Sequence, residues 1–192
     1  MAGDTGGRGS KGASGREPRR HIADIERIAL VAHHAIHKTP PHSVGHVKLN
    51  LILWHVDLEH YRRFGSSMTG LKEYVRGPHG PLSWSIVAAV AGLVRQRRVS
   101  DSATVRNGIS GRELASLQSP ADLADLTADQ AGIIDRMIQA LAPLTAHQLL
   151  SMFQADPLWR ETRPGSAMVI STGAIVTRSG AVPREPRAAT EL

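Results

Sequence analysis

The sequence predicts a mostly α-helical domain with a small β element, an α+β fold packed round one buried helix at about residues 44–64. Three observations predict it. Val47, Leu49, Leu51, Ile52, Leu53, Trp54, Val56, Leu58 and Tyr61 place apolar side chains almost all the way round one helix, and a helix apolar on every side is one buried on every side. Most other periodic segments carry an apolar stripe at helical spacing. The runs that favour strands are short: Tyr74–Val75, Ala167–Ile170 and Ala174–Val176.

Taken in order, residues 1–20 are rich in Gly, Ser and Arg without apolar periodicity, and read as a disordered basic tail. Residues 21–37 place Ile22, Ile25, Ile28, Ala29, Ala32 and Ile36 on one helical face, and Pro40-Pro41 ends that helix. Ser43 is the expected cap of the central helix and Gly65 its stop. A short strand is expected within 68–76. Gly77-Pro78-His79-Gly80-Pro81 then breaks the chain, with Pro81 expected in the first turn of a third helix that runs through Trp84, Ile86, Val87, Val90 and Leu93 to the Arg95–Arg98 cluster. Asn107-Gly108 is a hairpin signal between about Ala103–Val105 and Ile109. Thr127-x-x-Gln130 and Thr145-x-x-Gln148 read as capping boxes that open helices at about 128–141 and 146–154. Residues 167–170 and 174–176 are expected to pair as a terminal hairpin, and residues 178–192 to form a flexible tail, so the domain proper is expected over 21–177.

The 192 residues suit one domain, and a hydrophobic fraction of 41% is enough for one core. The chain has no cysteine, which excludes disulfides, thiol nucleophiles and cysteine metal sites and fits a cytoplasmic protein. There is no apolar run long enough to span a bilayer and no secretory h-region. The net charge of +6 is concentrated at the ends: residues 1–20 carry +3 and residues 178–192 carry +1, leaving +2 for the domain. A basic tail can touch nucleic acid through phosphates, although a solubilising role is the simpler reading.

Candidate chemistry is sparse. His33/His37 and His42/His46 have the i, i+4 spacing by which a helix presents two imidazoles to a metal. No HExxH pattern or suitably spaced carboxylate completes a site, so they read instead as exposed histidines on a helix–turn–helix edge, and no metal or cofactor is expected. Asp57 and His60 are i, i+3 neighbours that suit either an acid–base pair or a hydrogen-bonded group in a buried helix, the second being favoured. The Gly77–Pro81 turn is not a phosphate loop and no Gly-x-Ser-x-Gly elbow is present, so no enzyme class is supported. Core packing is the default for Trp54, Tyr61, Tyr74 and Trp84. Trp159, beside Arg160 after a helix end, suits a core or an interface equally. Arg62-Arg63 and Arg95/Arg97/Arg98 sit where helix C-termini favour cations.

Several of these features come in a particular order: Lys48-Leu49-Asn50-x-Ile52-Leu53-Trp54, then Asp57, Thr69-Gly70, Tyr74 and Gly80-Pro81-Leu82. A Leu126-Thr127 opening, Ile134-Asp135, and Asp156-x-x-Trp159 follow. Over about residues 25–163 this order resembles the Panacea domain family, the SocA-like antitoxins of bacterial and phage toxin–antitoxin systems. The resemblance implies a non-enzymatic protein that binds and neutralises a cognate toxin encoded by the adjacent gene, in some members as an adaptor that delivers the toxin to a protease. It gives two sets of residues. Toxin-contact candidates, expected to be exposed, are Tyr74, Arg76, His79, Asp156, Trp159 and Arg160. Lys48, Asn50, Trp54, Asp57, Thr69, Gly70, Gly80 and Pro81 are motif residues with structural roles. The chain departs from the family where a second lysine is often found, here Leu51, and where a histidine often precedes Asp-x-x-Trp, here Phe153-Gln154. The alternative reading is a nucleic-acid-binding regulator that uses the basic tail and the arginine clusters.

Overall fold

The computed structural model describes residues 17–41, 43–106, 108–120 and 126–170, with the backbone alone for 17–24, 106 and 109. The expected tails at 1–16 and 178–192 and the expected strand at 174–176 lie outside the described residues. The elements run α1 (Glu17–Lys38), α2 (His46–Phe64), β1 (Glu73–Gly77), β2 (Gly80–Leu82), α3 (Trp84–Arg95), β3 (Val99–Arg106), β4 (Ile109–Ser116), α4 (Ala128–Leu141), α5 (Ala146–Gln154), α6 (Pro157–Glu161) and β5 (Ala167–Val169). This is the mixed, mostly helical fold expected.

Helix α2 is the centre. Every residue from Lys48 to Leu58 is buried, because α1, α4, α5, β2 and β4 pack round it. Each fully buried Leu, Ile or Val on it contributes roughly 1.5–3 kcal/mol through removal of apolar surface from water. Gly65 ends the helix in the left-handed region, its N–H donating to the Tyr61 carbonyl, the arrangement by which glycine satisfies a terminal carbonyl without a Cβ clash. Both predicted capping boxes form, at Thr127/Gln130 and Thr145/Gln148.

Several boundaries and pairings differ from expectation. Helix α1 begins at Glu17, inside the expected tail, with Pro18 in its first turn, where the missing amide costs nothing. Helix α2 is capped at Gly45, and the Ser43 hydroxyl donates to the Pro40 carbonyl instead. The strand expected within 68–76 is confined to Glu73–Gly77, because residues 66–69 are held to α1 and α2 by side chains. Pro81 is a strand residue opposite Arg76, not a helical one; β2 lies at the edge of the order β2-β1-β5, where a proline costs no ladder bond, and Ser83 caps α3. Ala167–Val169 pairs with β1. The Asn107-Gly108 hairpin is present and longer than expected, pairing Val99 with Ser116 through Arg106 with Ile109.

The hairpin is fastened to α2 at one close approach. The Leu114 N–H donates to the Val44 carbonyl at 2.9 Å, and a Cβ on Gly45 would stand 2.5 Å from the Arg112 carbonyl oxygen. Backbone meets backbone there, so no side chain can swing away. Gly45→Ala is therefore expected to cost about 1–3 kcal/mol, as overpacked core positions do, read as a lower denaturation midpoint; an unchanged midpoint would show that the hairpin base yields freely.

Candidate functional site

The buried polar group at the middle of the fold is the Asp57 carboxylate, which is fully inaccessible. Oδ1 accepts the Thr69 N–H at 2.8 Å, and Oδ2 accepts the Thr69 hydroxyl at 2.6 Å and the Tyr74 hydroxyl at 2.7 Å. A buried carboxylate survives only if its lone pairs are used in this way. Two further side chains secure the same stretch. Arg27 of α1 donates to the Met68 carbonyl at 2.6 Å, and His60 Nδ1 donates to the Ser66 carbonyl at 2.5 Å. With Nδ1 as donor, His60 Nε2 accepts from the Gln130 amide at 3.0 Å, and Gln130 is also the capping-box residue of α4. Burial lowers the His60 pKa, in keeping with a neutral ring. Asp57 and His60 thus anchor two points of one loop, and the acid–base pairing has no geometric basis.

From Tyr74 the contacts continue through rings. Trp54 stands edge-on to Tyr74 at 5.0 Å and to Phe153 at 5.6 Å, and Phe153 is 4.9 Å from Trp159. Edge-to-face rings add about 0.5–1.5 kcal/mol per pair beyond burial. The Arg76 guanidinium caps the series 4.5 Å above Trp159 and donates to the Thr162 carbonyl. Asp156 starts α6 by accepting the Leu158 N–H at 2.9 Å, with Pro157 in the first turn. Trp159 therefore belongs to a helix that the sequence reading did not predict.

These positions divide the expected contact residues. Tyr74, Asp156 and Trp159 are buried, so the expectation of exposure is corrected for all three: Tyr74 binds Asp57, Asp156 caps α6, and Trp159 closes the ring series. His79 and Arg160 are exposed and Arg76 is half-buried. Several residues of the motif set make contacts within the fold. Asn50 accepts the Ser83 N–H, fastening α3 to α2. Gly70 (φ +83) and Gly80 (φ +124) hold positive-φ turns, and Gly80 lies against Leu51, where a Cβ would come within 3.3 Å.

The histidine edge is also corrected. His33 is buried against the Ser116 hydroxyl and the Gln118 carbonyl, and burial lowers its pKa. His34 pairs with Asp135 at 3.0 Å and His46 with Asp101 at 3.0 Å. His37 is exposed, and His42 lies outside the described residues. No group of three His, Asp or Glu side chains among the described residues is arranged to hold a metal. Arg62 and Arg63 are both paired with Glu59. The reading of Trp84 as core was wrong: it is 71% exposed. The signal was available, since the buried face of α3 is Ile86, Ala89, Val90 and Leu93, and Trp84 falls about 200° out of that register.

Asp57, Thr69, Tyr74 and the rings from Trp54 to Trp159 fall inside one family match. Residues 49–160, more than half of the chain, match the family described as antitoxin SocA-like, Panacea domain. The chain belongs to this Panacea domain family. No curated protein and no solved structure matches it. The Panacea match runs from the first turn of α2 into α6 and leaves out α1. It carries with it the family's antitoxin character. No helix among the described residues is long and apolar enough to cross a membrane.

Burial pushes the Asp57 pKa from the ordinary 3.8 up to about 6, against the lowering effect of the Thr69 and Tyr74 hydrogen bonds. An acid whose folded-state pKa is raised stabilises the fold fully below its unfolded pKa and loses that contribution as pH rises through the folded one. Wild type should therefore gain on Asp57→Asn by on the order of 2–3 kcal/mol as pH falls from about 7 to about 4; parallel stability curves would refute the raised pKa. Tyr74→Phe removes a hydrogen bond to a charged acceptor and is expected to cost about 1.5–3 kcal/mol near neutral pH, read by denaturant unfolding.

Proposed function

We propose that this chain is the antitoxin of a toxin–antitoxin pair and acts by binding its cognate toxin directly and covering a surface the toxin needs. The observation that carries this reading is the family match from residue 49 to 160, which takes in most of the central helix and the Asp57, Thr69 and Tyr74 cluster. A contact face is proposed where exposed side chains cluster near the motifs. His79 projects from the β1–β2 turn, Arg76 crosses from β1 to α6, and Arg160 extends from α6. Trp84 is added to this set, since a solvent-exposed tryptophan at the head of a helix is the side chain most often found as a binding anchor. The Arg62-Arg63 pair is neutralised by Glu59 and does not favour the nucleic-acid alternative.

The test is co-expression with the protein encoded by the adjacent gene. That neighbour alone should arrest growth, and this chain should restore growth and co-purify with it. The toxin's half-life in the same cells separates simple occlusion from delivery to a protease. Trp84→Ala and Arg160→Glu should each weaken neutralisation about tenfold or more, the size of an interface hot spot, with the denaturation midpoint unchanged. Trp159→Ala should instead lower the midpoint. A neighbour harmless when expressed alone would sink the antitoxin reading, while unaffected neutralisation by the surface variants would move the contact face elsewhere.

A further inference from the structure

Lys48 is buried although no carboxylate among the described residues pairs with it. Only 5% of the residue is exposed, and its ammonium donates to the Ala142 carbonyl at 2.6 Å, its one bonding partner among the described residues. An ammonium has three donors, so two remain. Burial lowers its pKa, with no carboxylate acting in the opposite direction. An unpaired cation is costly inside a protein.

A cavity of about 400 Å³ adjoins it. Val44, Pro143 and Leu144 form aliphatic walls, and Arg112, Thr145 and Ala146 are among the residues completing it. The cavity lies between the end of α4 and the start of α5. Ala142 is the C-cap of α4, and Lys48 neutralises that negative helix end. The start of α5 is the opposite pole. Its capping box uses the Gln148 and Thr145 amides. The N–H groups of Ala146 and His147, the first two helical positions, have no acceptor within the helix. Arg112 lies at the rim, with Nε committed to Asp101 at 2.8 Å. Glu113, the carboxylate of the lining, has an interaction of its own.

We infer that this cavity receives a carboxylate side chain from the partner protein, with Lys48 as its counter-ion and the first turn of α5 as the second donor set. The aliphatic walls suit the methylene stem of a glutamate or aspartate, and the spare donors suit one carboxylate. A phosphate dianion would call for more than a single ammonium at the floor. The partner's identity rests on the antitoxin reading; the chemistry of the cavity does not.

The test uses the full chain and a capped glutamate (N-acetyl-glutamate amide), with capped glutamine and inorganic phosphate as comparisons, followed by amide NMR. Glutamate should shift the Ala146 and His147 signals to saturation, and glutamine should not. Lys48→Met, which keeps the stem, should weaken the probe about tenfold or more, as expected for loss of a charge-assisted bond. If that variant does not fold, Ala146→Pro decides. Thr145 already has the extended backbone (φ −69, ψ 158) that precedes a proline, and proline suits a first helical position, so the helix persists while one donor is lost. Equal response to glutamate and glutamine, tighter binding of phosphate, or undiminished binding by both variants overturns the inference. In the co-expression assay, folded Lys48→Met that no longer neutralises the toxin supports it. Folded Lys48→Met that neutralises normally removes the cavity from toxin binding and leaves the antitoxin reading intact. A harmless neighbour defeats that reading alone, and the titration still decides the cavity.

Discussion

The Asp57 carboxylate organises the domain because it sits where helix, loop and sheet must meet. It lies on the most enclosed stretch of α2, and its bonding partners come from the loop after that helix and from β1. Once Thr69 and Tyr74 are fixed on it, β1 has one place to lie, and β2 and β5 take their register from β1. Leaving a charge in an apolar interior is expensive, so the carboxylate tolerates no arrangement that loses its donors. The raised pKa measures the part of that expense the hydrogen bonds do not recover. An aliphatic side chain in its place would leave three buried donors without an acceptor, which is worse than the charge itself.

The ring series extends this order from the centre to the surface. Tyr74 is both the last ligand of Asp57 and the first ring, so a displacement at the carboxylate is felt at Trp54, Phe153 and Trp159, and at the Arg76 guanidinium beyond. The two departures from the family pattern fall in this region. Leu51 is buried against Gly80, and Phe153 stands between two tryptophans. A lysine or histidine in either place would need a polar partner that this packing does not supply. Both positions make apolar contacts here, while Lys48 places an ammonium one turn from Leu51.

Much of this was legible in the sequence. The all-round apolar pattern of α2 announced its burial, and the capping boxes set the starts of α4 and α5 because a side chain three residues along satisfies the same amides in any context. Asp57 could be read as a bonded buried group but not assigned its partners, since Thr69 and Tyr74 reach it through a loop of no regular period. Helix α6 was missed because five residues are too few to show a helical repeat. Pro81 was misplaced because proline suits a helix start and a sheet edge equally, and only the pairing with β1 distinguishes them. Exposure of Tyr74, Asp156 and Trp159 was misjudged for one reason: aromatic and capping residues near turns look alike whether the turn faces water or the core.

That misjudgement bears on how an antitoxin of this family selects its partner. The residues whose order identifies the family are chiefly those that hold α2, the loop and β1 together, and most of them are inaccessible in the folded chain. A buried side chain cannot discriminate between two toxins, because specificity is a difference in contact energy at a surface. The family motif therefore specifies a scaffold, and partner choice must be made by side chains the motif does not contain. The exposed Trp84, His79 and Arg160 are the proposed candidates here. Lys48 is the instructive exception, a motif residue whose stem lies in the scaffold and whose ammonium keeps donors to spare beside a cavity. With a partner's carboxylate in that cavity, as proposed, Lys48 would join the part of the sequence that builds the fold to the part that can choose, and the cost that the core carries would be offset.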